Sequence, residues 1–477
     1  MQASRKTAIA AILITVAMLL SSQPADAAAP FSDLEAQAAL LAEVDTGTVL
    51  FERNMNVRHP ADSLAKVMTM ILALTAIENG DASIYDFVVM TESAMFDITS
   101  RSTTQGISVG EEMPLLDLMY CAFIGSANEA CNLIAEYIAG DVGAFVDMMN
   151  DRAEDLGCEG TNFTNPHGQY SDDQYTTAMD QYRIFREAIS YQLFLEISGV
   201  FRHTIEGTNK AEQRRLVGTN SLVNSSGKYH YRPCNSGLAS ATYEGGYSYV
   251  GFAESDGMSL IVVVLGSDVI MFEDESAEMR NLTEARRLFE WGFSEFGWRV
   301  ILVAGELVGK APIIHGAGAD FVNLRAETEI KELLDNDIPD SAFVRNVTIY
   351  SVDSEEPLYA PVLAGEVLGE VTITRGGVDY GTVLLTANTT VELNRLQFIR
   401  MQVMELANSS TARTVIWVLV ILVVLYTALV VRYNIVRIRR MRKIREAKRK
   451  LAEERQQPQK IDLDELPSGK GDMHFKR

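Results

Sequence analysis

Two short stretches carry residues whose types and spacing can do chemistry. In "HPADSLAKVMTM", residues 59–70, Ser63 stands three residues before Lys66. A serine hydroxyl is a weak nucleophile until a base takes its proton. A lysine three positions further along a helix lies one turn away, so its amine reaches that hydroxyl. The amine must be neutral to act, which burial or a neighbouring cation brings about. In "FIGSANEACN", Ser126 and Asn128 alternate across a short break between two helical patterns, and Gly125 permits the turn. A second hydroxyl to pass a proton to a leaving amine, and an amide to orient a substrate, complete a set suited to acyl transfer. Plainer readings stand beside these. Asp62 and Ser63 are both good caps for the apolar helix that follows, and Ser126 and Asn128 would cap a helix–helix turn. S-x-x-K also arises by chance, as in Ser225 and Lys228 of "NSSGK".

The surrounding patterns show what must position these groups. "AALLAEVDTGTVLFERN", residues 38–54, reads as two apolar strands around an Asp-Thr-Gly turn. Helical spacing runs from Ser63 to about Gly80 and again through 113–139. "GGYSYVGFAESDGMSLIVVVLGSD" reads as a second hairpin turning at Asp256-Gly257, and a long helix is expected over 275–297. Strands at both ends with helices between them predict one antiparallel sheet flanked by helices, an α+β domain over 28–297. After Trp298 short strands with Gly-rich turns predict a separate β-rich domain to residue 395. Residues 396–413 read as a connector, amphipathic at its start.

Both ends of the chain carry membrane signals. Arg5 and Lys6 precede the apolar run "TAIAAILITVAMLL", and "ADA" at 25–27 offers small residues for cleavage, so 1–27 reads as a signal peptide. Thr414–Val431 is 18 uncharged residues, enough to span a bilayer as a helix. The tail 432–477 holds 15 basic and 7 acidic residues, which places it on the cytoplasmic side. With a net charge of −22 for the whole chain and +8 for that tail, the remainder carries −30. An acidic exterior argues against nucleic acid, and the tail suits anionic lipid heads. The expected location is a single-pass cell-membrane protein with its large part outside. Four cysteines, Cys121, Cys131, Cys158 and Cys234, are too few for a disulfide-built scaffold. No metal-ligand spacing appears, His167 and His230 read as structural, and no cofactor is expected.

The order of these elements resembles the D-alanyl-D-alanine carboxypeptidases, the low-molecular-weight penicillin-binding proteins. They share a fold with class A β-lactamases and use S-x-x-K, S-x-N and Lys-Thr-Gly elements. The residues that carry the likeness are "AEVDTGTVLFERNMNVRHPADSLAKVMTM", "LMYCAFIGSANEACNLIAEYIAG", "FTNPHGQYSDDQYTTAMD" and "ESDGMSLIVVVLGSD". The resemblance implies Ser63 as nucleophile, Lys66 as base, Ser126 as proton relay and Asn128 as substrate-orienting amide. It implies an oxyanion hole of backbone amides, one of them at Ser63. Peptidoglycan stem peptides would be the substrate and β-lactams covalent inhibitors. The third element departs from the pattern. Aligned on Gly237-Leu238 and the following Gly-rich turn, Lys-Thr-Gly falls on Ala239-Ser240-Ala241, with a slip of one or two residues allowed. The lysine is missing. A substrate carboxylate would lose a charge-assisted hydrogen bond worth about 1.5–3 kcal/mol, and Lys66 would lose a cation that helps keep it neutral. Ser240 would stand in for the threonine hydroxyl, beside Ala239 on the substrate strand. Lys228, His230 or Arg232 would supply charge only if the strand bends. The expected function is a serine carboxypeptidase trimming the last D-alanine; the alternative is a weakened or inactive homologue that binds wall peptide or partners.

Overall fold

The computed structural model describes residues 31–271 and 277–454; the expected signal peptide and the end of the basic tail lie outside them. The chain forms two compact units. One runs to Ile301 and also takes in Lys331–Phe343; the other comprises Leu302–Ile330 and the chain from Val344 onward.

The first unit is built on a five-stranded antiparallel sheet. Its strands are β1 (Ala38–Glu43), β2 (Val49–Arg53), β3 (Cys234–Thr242), β4 (Gly246–Ser255) and β5 (Met258–Ser267), in the order β2-β1-β5-β4-β3. The two ends of the unit therefore meet in one sheet, with Leu40 opposite Val263. The β4–β5 turn falls where the sequence placed it, with Asp256 at φ 50° and Gly257 at φ 75°, the twist that suits a tight hairpin. β1 and β5 lack polar alternation because both faces of the sheet are covered. Leu40, Val263 and Leu238 face a core shared with helix α1 (Ala65–Asn79). Leu41, Val262 and Tyr249 face the opposite way, against Leu282, Leu288 and Phe289 of a later helix, Arg280–Glu295.

α1 is buried nearly all round, which explains why its apolar residues crowd every face. It stops at Gly80, which takes a left-handed φ of 80°. The expected pair of helices over 113–139 is α2 (Leu115–Phe123) and α3 (Asn128–Ala139), with the break at 124–127. Cys121 and Cys131 sit on these two different helices; all four cysteines are buried and unpaired. Among the described residues no group of His, Cys, Asp or Glu is placed to hold a metal ion.

The second unit carries a six-stranded sheet made of Leu307–Ile314, Phe321–Ala326, Val344–Ile349, Leu358–Tyr359, Val367–Arg375 and Val378–Ala387. Helix Arg395–Asn408 follows, with Leu396, Ile399, Val403 and Met404 exposed, an unpartnered apolar stripe at helical spacing. The last element, α4 (Ser410–Glu454), is one unbroken helix of 45 residues. Its segment Arg413–Leu451 contains a window of mean hydropathy 2.9, long and apolar enough to cross a membrane.

Candidate active site

The turn that presents Ser63 is a single 3-10 turn, Asp62–Leu64, leading directly into α1. No side chain caps either start, so the capping role open to Asp62 and Ser63 from the sequence is not the one they take. Asp62 instead adopts a left-handed φ of 47°, an uncommon backbone state for a residue with a Cβ. The turn is held from outside by Gly168, where a Cβ would lie 1.8 Å from the Asp62 carbonyl oxygen. The Asn-Pro-His-Gly segment therefore needs glycine at its end.

Lys66 lies one turn into the helix and is 1% exposed. Its Nζ donates to Oδ1 of Asn128 at 3.1 Å and to the backbone carbonyl of His167. Burial pulls its proton affinity below that of an ordinary lysine, while Cys131, Asp62 and Glu129 push the other way. A neutral amine has two N–H bonds and one lone pair. With both N–H groups taken by Asn128 and His167, the lone pair is left for the Ser63 proton. The side-chain hydroxyl of Ser63 makes no hydrogen bond among the described residues, so nothing else competes for it.

The carbonyl that holds Lys66 is itself fixed. Nδ1 of His167 accepts from the amide of Gln169 at 3.1 Å, which leaves the proton on Nε2 to donate to Asp97 at 2.9 Å. Asn132 of α3 donates to the same carboxyl group at 2.6 Å, and Thr69 of α1 donates to the Pro166 carbonyl at 2.5 Å. His167 is structural, as its isolation suggested, and what it positions is the base. The pairing with Asp97 spans 70 residues, and no spacing in the sequence signals it.

Ser126 has a left-handed φ of 51° in the α2–α3 break and stands two residues before Asn128. Its neighbour Gly125 is required by close approach: a Cβ there would meet the Cys121 carbonyl at 2.7 Å and Gln105 at 2.8 Å.

Among the described residues β3 is the edge of the sheet and pairs only with β4. Ser240 points at the nucleophile turn: its Oγ accepts from the Ser63 amide at 3.2 Å. Successive strand residues face opposite ways, so Leu238 and Ser236 share this face and Ala239 does not. The packing agrees, since Leu238 belongs to the core around α1, whereas Ala239 packs on the far side with Tyr249. Ala239, where the resemblance aligns the missing lysine, thus lies on the face of β3 opposite to Ser240. The position that meets α1 is Leu238, which is apolar and buried. Ala239 presents its backbone at the edge instead, its amide donating to Thr219 Oγ1 at 3.2 Å. The three alternative cations lie elsewhere. Lys228 binds the Ala277 carbonyl, His230 sits against the Leu222 carbonyl and Arg232 is exposed, while Tyr229 and Tyr231 beside them pack on the Arg280–Glu295 side of the sheet.

Asp62 is the residue whose importance the sequence understated. It is 1% exposed, and among the described residues neither carboxylate oxygen makes a hydrogen bond of good geometry, the Thr242 hydroxyl being the donor beside it. It lies under the β3–β4 turn, with a Cβ on Gly245 falling 1.7 Å from Oδ2. Burial raises its pKa to about 6; Thr242 and Lys66 pull it down and Glu244 pushes it up.

The family profile described as D-alanyl-D-alanine carboxypeptidase matches residues 23–269. The chain is 28% identical over 346 residues to the D-alanyl-D-alanine carboxypeptidase DacF of Bacillus subtilis, covering 72% of this chain and 82% of that one. It is 26% identical over 362 residues to DacA of Haemophilus influenzae, covering 74% and 84%. Among solved structures, penicillin binding protein 5 from Haemophilus influenzae superposes with a TM-score of 0.54 at 25% identity, over 75% of this chain and 98% of the other. Penicillin binding protein 6B from Escherichia coli shares the fold at 22% identity and a TM-score of 0.55. With half of its length matched by the profile and its sheet, helices and Ser63 turn arranged as described, the chain belongs to the D-alanyl-D-alanine carboxypeptidase family.

Proposed function

We propose that this chain is a membrane-anchored serine carboxypeptidase that removes the terminal D-alanine from peptidoglycan stem peptides. Ser63 Oγ attacks the carbonyl carbon of the penultimate residue, and its proton passes to Lys66 Nζ. The oxygen of the tetrahedral intermediate is held by the Ser63 amide. Collapse breaks the peptide bond; the proton travels through Ser126 to the leaving amine, and D-alanine departs. Water then hydrolyses the Ser63 ester. Asn128 orients the substrate, which lies along the free edge of β3 beside Ala239 and Ser240. The observation that carries this reading is the buried Lys66 with both donors engaged by Asn128 and the His167 carbonyl.

The test is a covalent one. Detergent-solubilised full-length protein is exposed to a penicillin, digested and analysed by mass spectrometry. An adduct on Ser63 supports the reading; adducts on other residues, or none, overturn it.

One observation favours a second reading, a weakened homologue that retains wall-peptide binding. The chain carries Ala239 where the resemblance places the lysine that would receive the substrate carboxylate. On that reading D-alanine release is slow although the adduct on Ser63 still forms.

The anchor in this proposal is the apolar part of α4, with the part before it outside the cell and the basic part inside. Protease added to intact cells is expected to digest the outer part and spare the segment after Arg432. Cleavage of that segment from outside would reverse the orientation.

A further inference from the structure

A cleft of about 630 Å³ opens at the β3–β4 turn, walled by the end of β3, the start of β4, the segment 267–270 and Glu35. Tyr247 stands opposite Ala241 in the ladder, as Tyr249 stands opposite Ala239. By alternation both pairs lie on the sheet face away from α1. The turn itself links this cleft to the nucleophile, since Gly245 presses on Asp62. One wall is fixed from behind. The buried carboxylate of Glu284 accepts from the Glu35 amide at 2.6 Å and from the Ser267 hydroxyl at 2.7 Å.

The groups in this cleft suit a neutral, hydroxyl-rich ring. Tyr243 is 98% exposed, so its ring packs on nothing in the fold. Tyr247 is half-buried, and Ala241 opposite it is too small to cover its face. Such rings offer an apolar face and a polar tip, which match the C–H face and the hydroxyls of a sugar. Among the described residues neither phenol oxygen and neither oxygen of exposed Asp268 is engaged. Glu35 adds a second carboxylate, 3.6 Å from Arg280. Carboxylates accept from sugar hydroxyls and repel a phosphate-rich polymer.

We propose that this cleft is a saccharide subsite, holding the N-acetylated sugar to which a wall stem peptide is joined while the peptide lies along β3. The inference rests on the carboxypeptidase reading for its substrate and extends it by naming what grips the glycan. The muramyl carboxyl is consumed in its amide bond to the stem, so the sugar brings no charge to be repelled. The reach is sufficient. Three to four extended residues between the scissile bond and the sugar span about 10–14 Å, and β3 from Ser240 to Thr242 covers about 7 Å.

The first test is calorimetric titration of the full-length protein in detergent with a neutral tetramer of N-acetylglucosamine. An oligomer of glycerol phosphate is titrated in parallel. The tetramer is expected to bind, Tyr243→Ala and Tyr247→Ala each to weaken it about tenfold or more, and Tyr243→Trp to retain it. Tyr243 contributes no packing, so its two variants decide the matter even if Tyr247→Ala does not fold. In the second test, the KM for D-alanine release from a pentapeptide carrying its disaccharide is expected to lie about tenfold below that for the bare pentapeptide. Tyr243→Ala should erase that difference. Failure of the tetramer to bind the parent, equal binding by the parent and Tyr243→Ala, or binding of the phosphate oligomer in its place overturns the subsite. Absence of D-alanine release from both peptides overturns the carboxypeptidase reading instead, and the titration then judges the cleft by itself.

Discussion

Asp62→Asn is expected to stabilise the protein by about 1–3 kcal/mol at neutral pH. The carboxylate is buried with only the Thr242 hydroxyl as a neighbouring donor, and its pKa rises from 3.8 to about 6 on folding, chiefly through desolvation. The sign follows from proton counting. Between these two values the folded protein keeps a proton that the unfolded chain has lost, so stability falls as pH rises from about 4 to about 6 and stays lowered above that. A displacement of about two pH units corresponds to about 3 kcal/mol. Asparagine carries no charge and tolerates the left-handed backbone that Asp62 adopts. The gain from the substitution should therefore be full above pH 6 and vanish near pH 4. Urea unfolding at pH 4, 5 and 7 checks it; equal gains at all three values would show that the charge is not the cause. The same substitution removes an anion that favours the proton on Lys66, so acylation of Ser63 should reach its maximum at lower pH.

Ser63→Ala is expected to abolish penicillin labelling, a loss of at least a thousandfold, while stability changes by less than about 0.5 kcal/mol. The structure gives the reason for the second half. The hydroxyl caps no helix and makes no hydrogen bond among the described residues, so little is lost when it goes. The backbone amide remains and keeps its bond to Ser240. Loss of a true cap would instead cost about 1 kcal/mol with no chemical consequence. Gel labelling with a fluorescent penicillin and urea unfolding of the same preparation separate the two outcomes. Equal labelling of the variant and the parent would remove Ser63 from the chemistry.

The pairing of Ser63 with Lys66 and of Ser126 with Asn128 as candidates could be read from the sequence because each pair lies within one turn or one break of a helix, where spacing in sequence is spacing in space. The sheet was legible for a similar reason: the apolar runs of β1 and β5 read as strands without knowing what covers them. The face of β3 was not. A slip of one residue moves every side chain of a strand to the other side, and nothing local to residues 234–242 tells whether Leu238 or Ala239 is the neighbour of α1. That choice is made by pairing, with Ser240 opposite Ser248 and Leu238 opposite Val250. Asp62 looked like a cap because aspartate before a helix usually is one. Its burial depends on the β3–β4 turn, just over 180 residues away. Asp97 and His167 likewise meet only through the fold.

The unbroken course of α4 has a mechanical consequence. At 1.5 Å per residue its 45 residues make a rod of about 68 Å, more than twice the roughly 30 Å of hydrocarbon in a bilayer. The length beyond Val431 adds roughly 35 Å without a swivel. A rod transmits angle where a coil would absorb it. For a chain held in lipid by its apolar stretch, a tilt of about 20° from the normal carries the far end about 12 Å sideways. The arginines along that stub are thus aimed by the packing of lipid around a segment they do not touch.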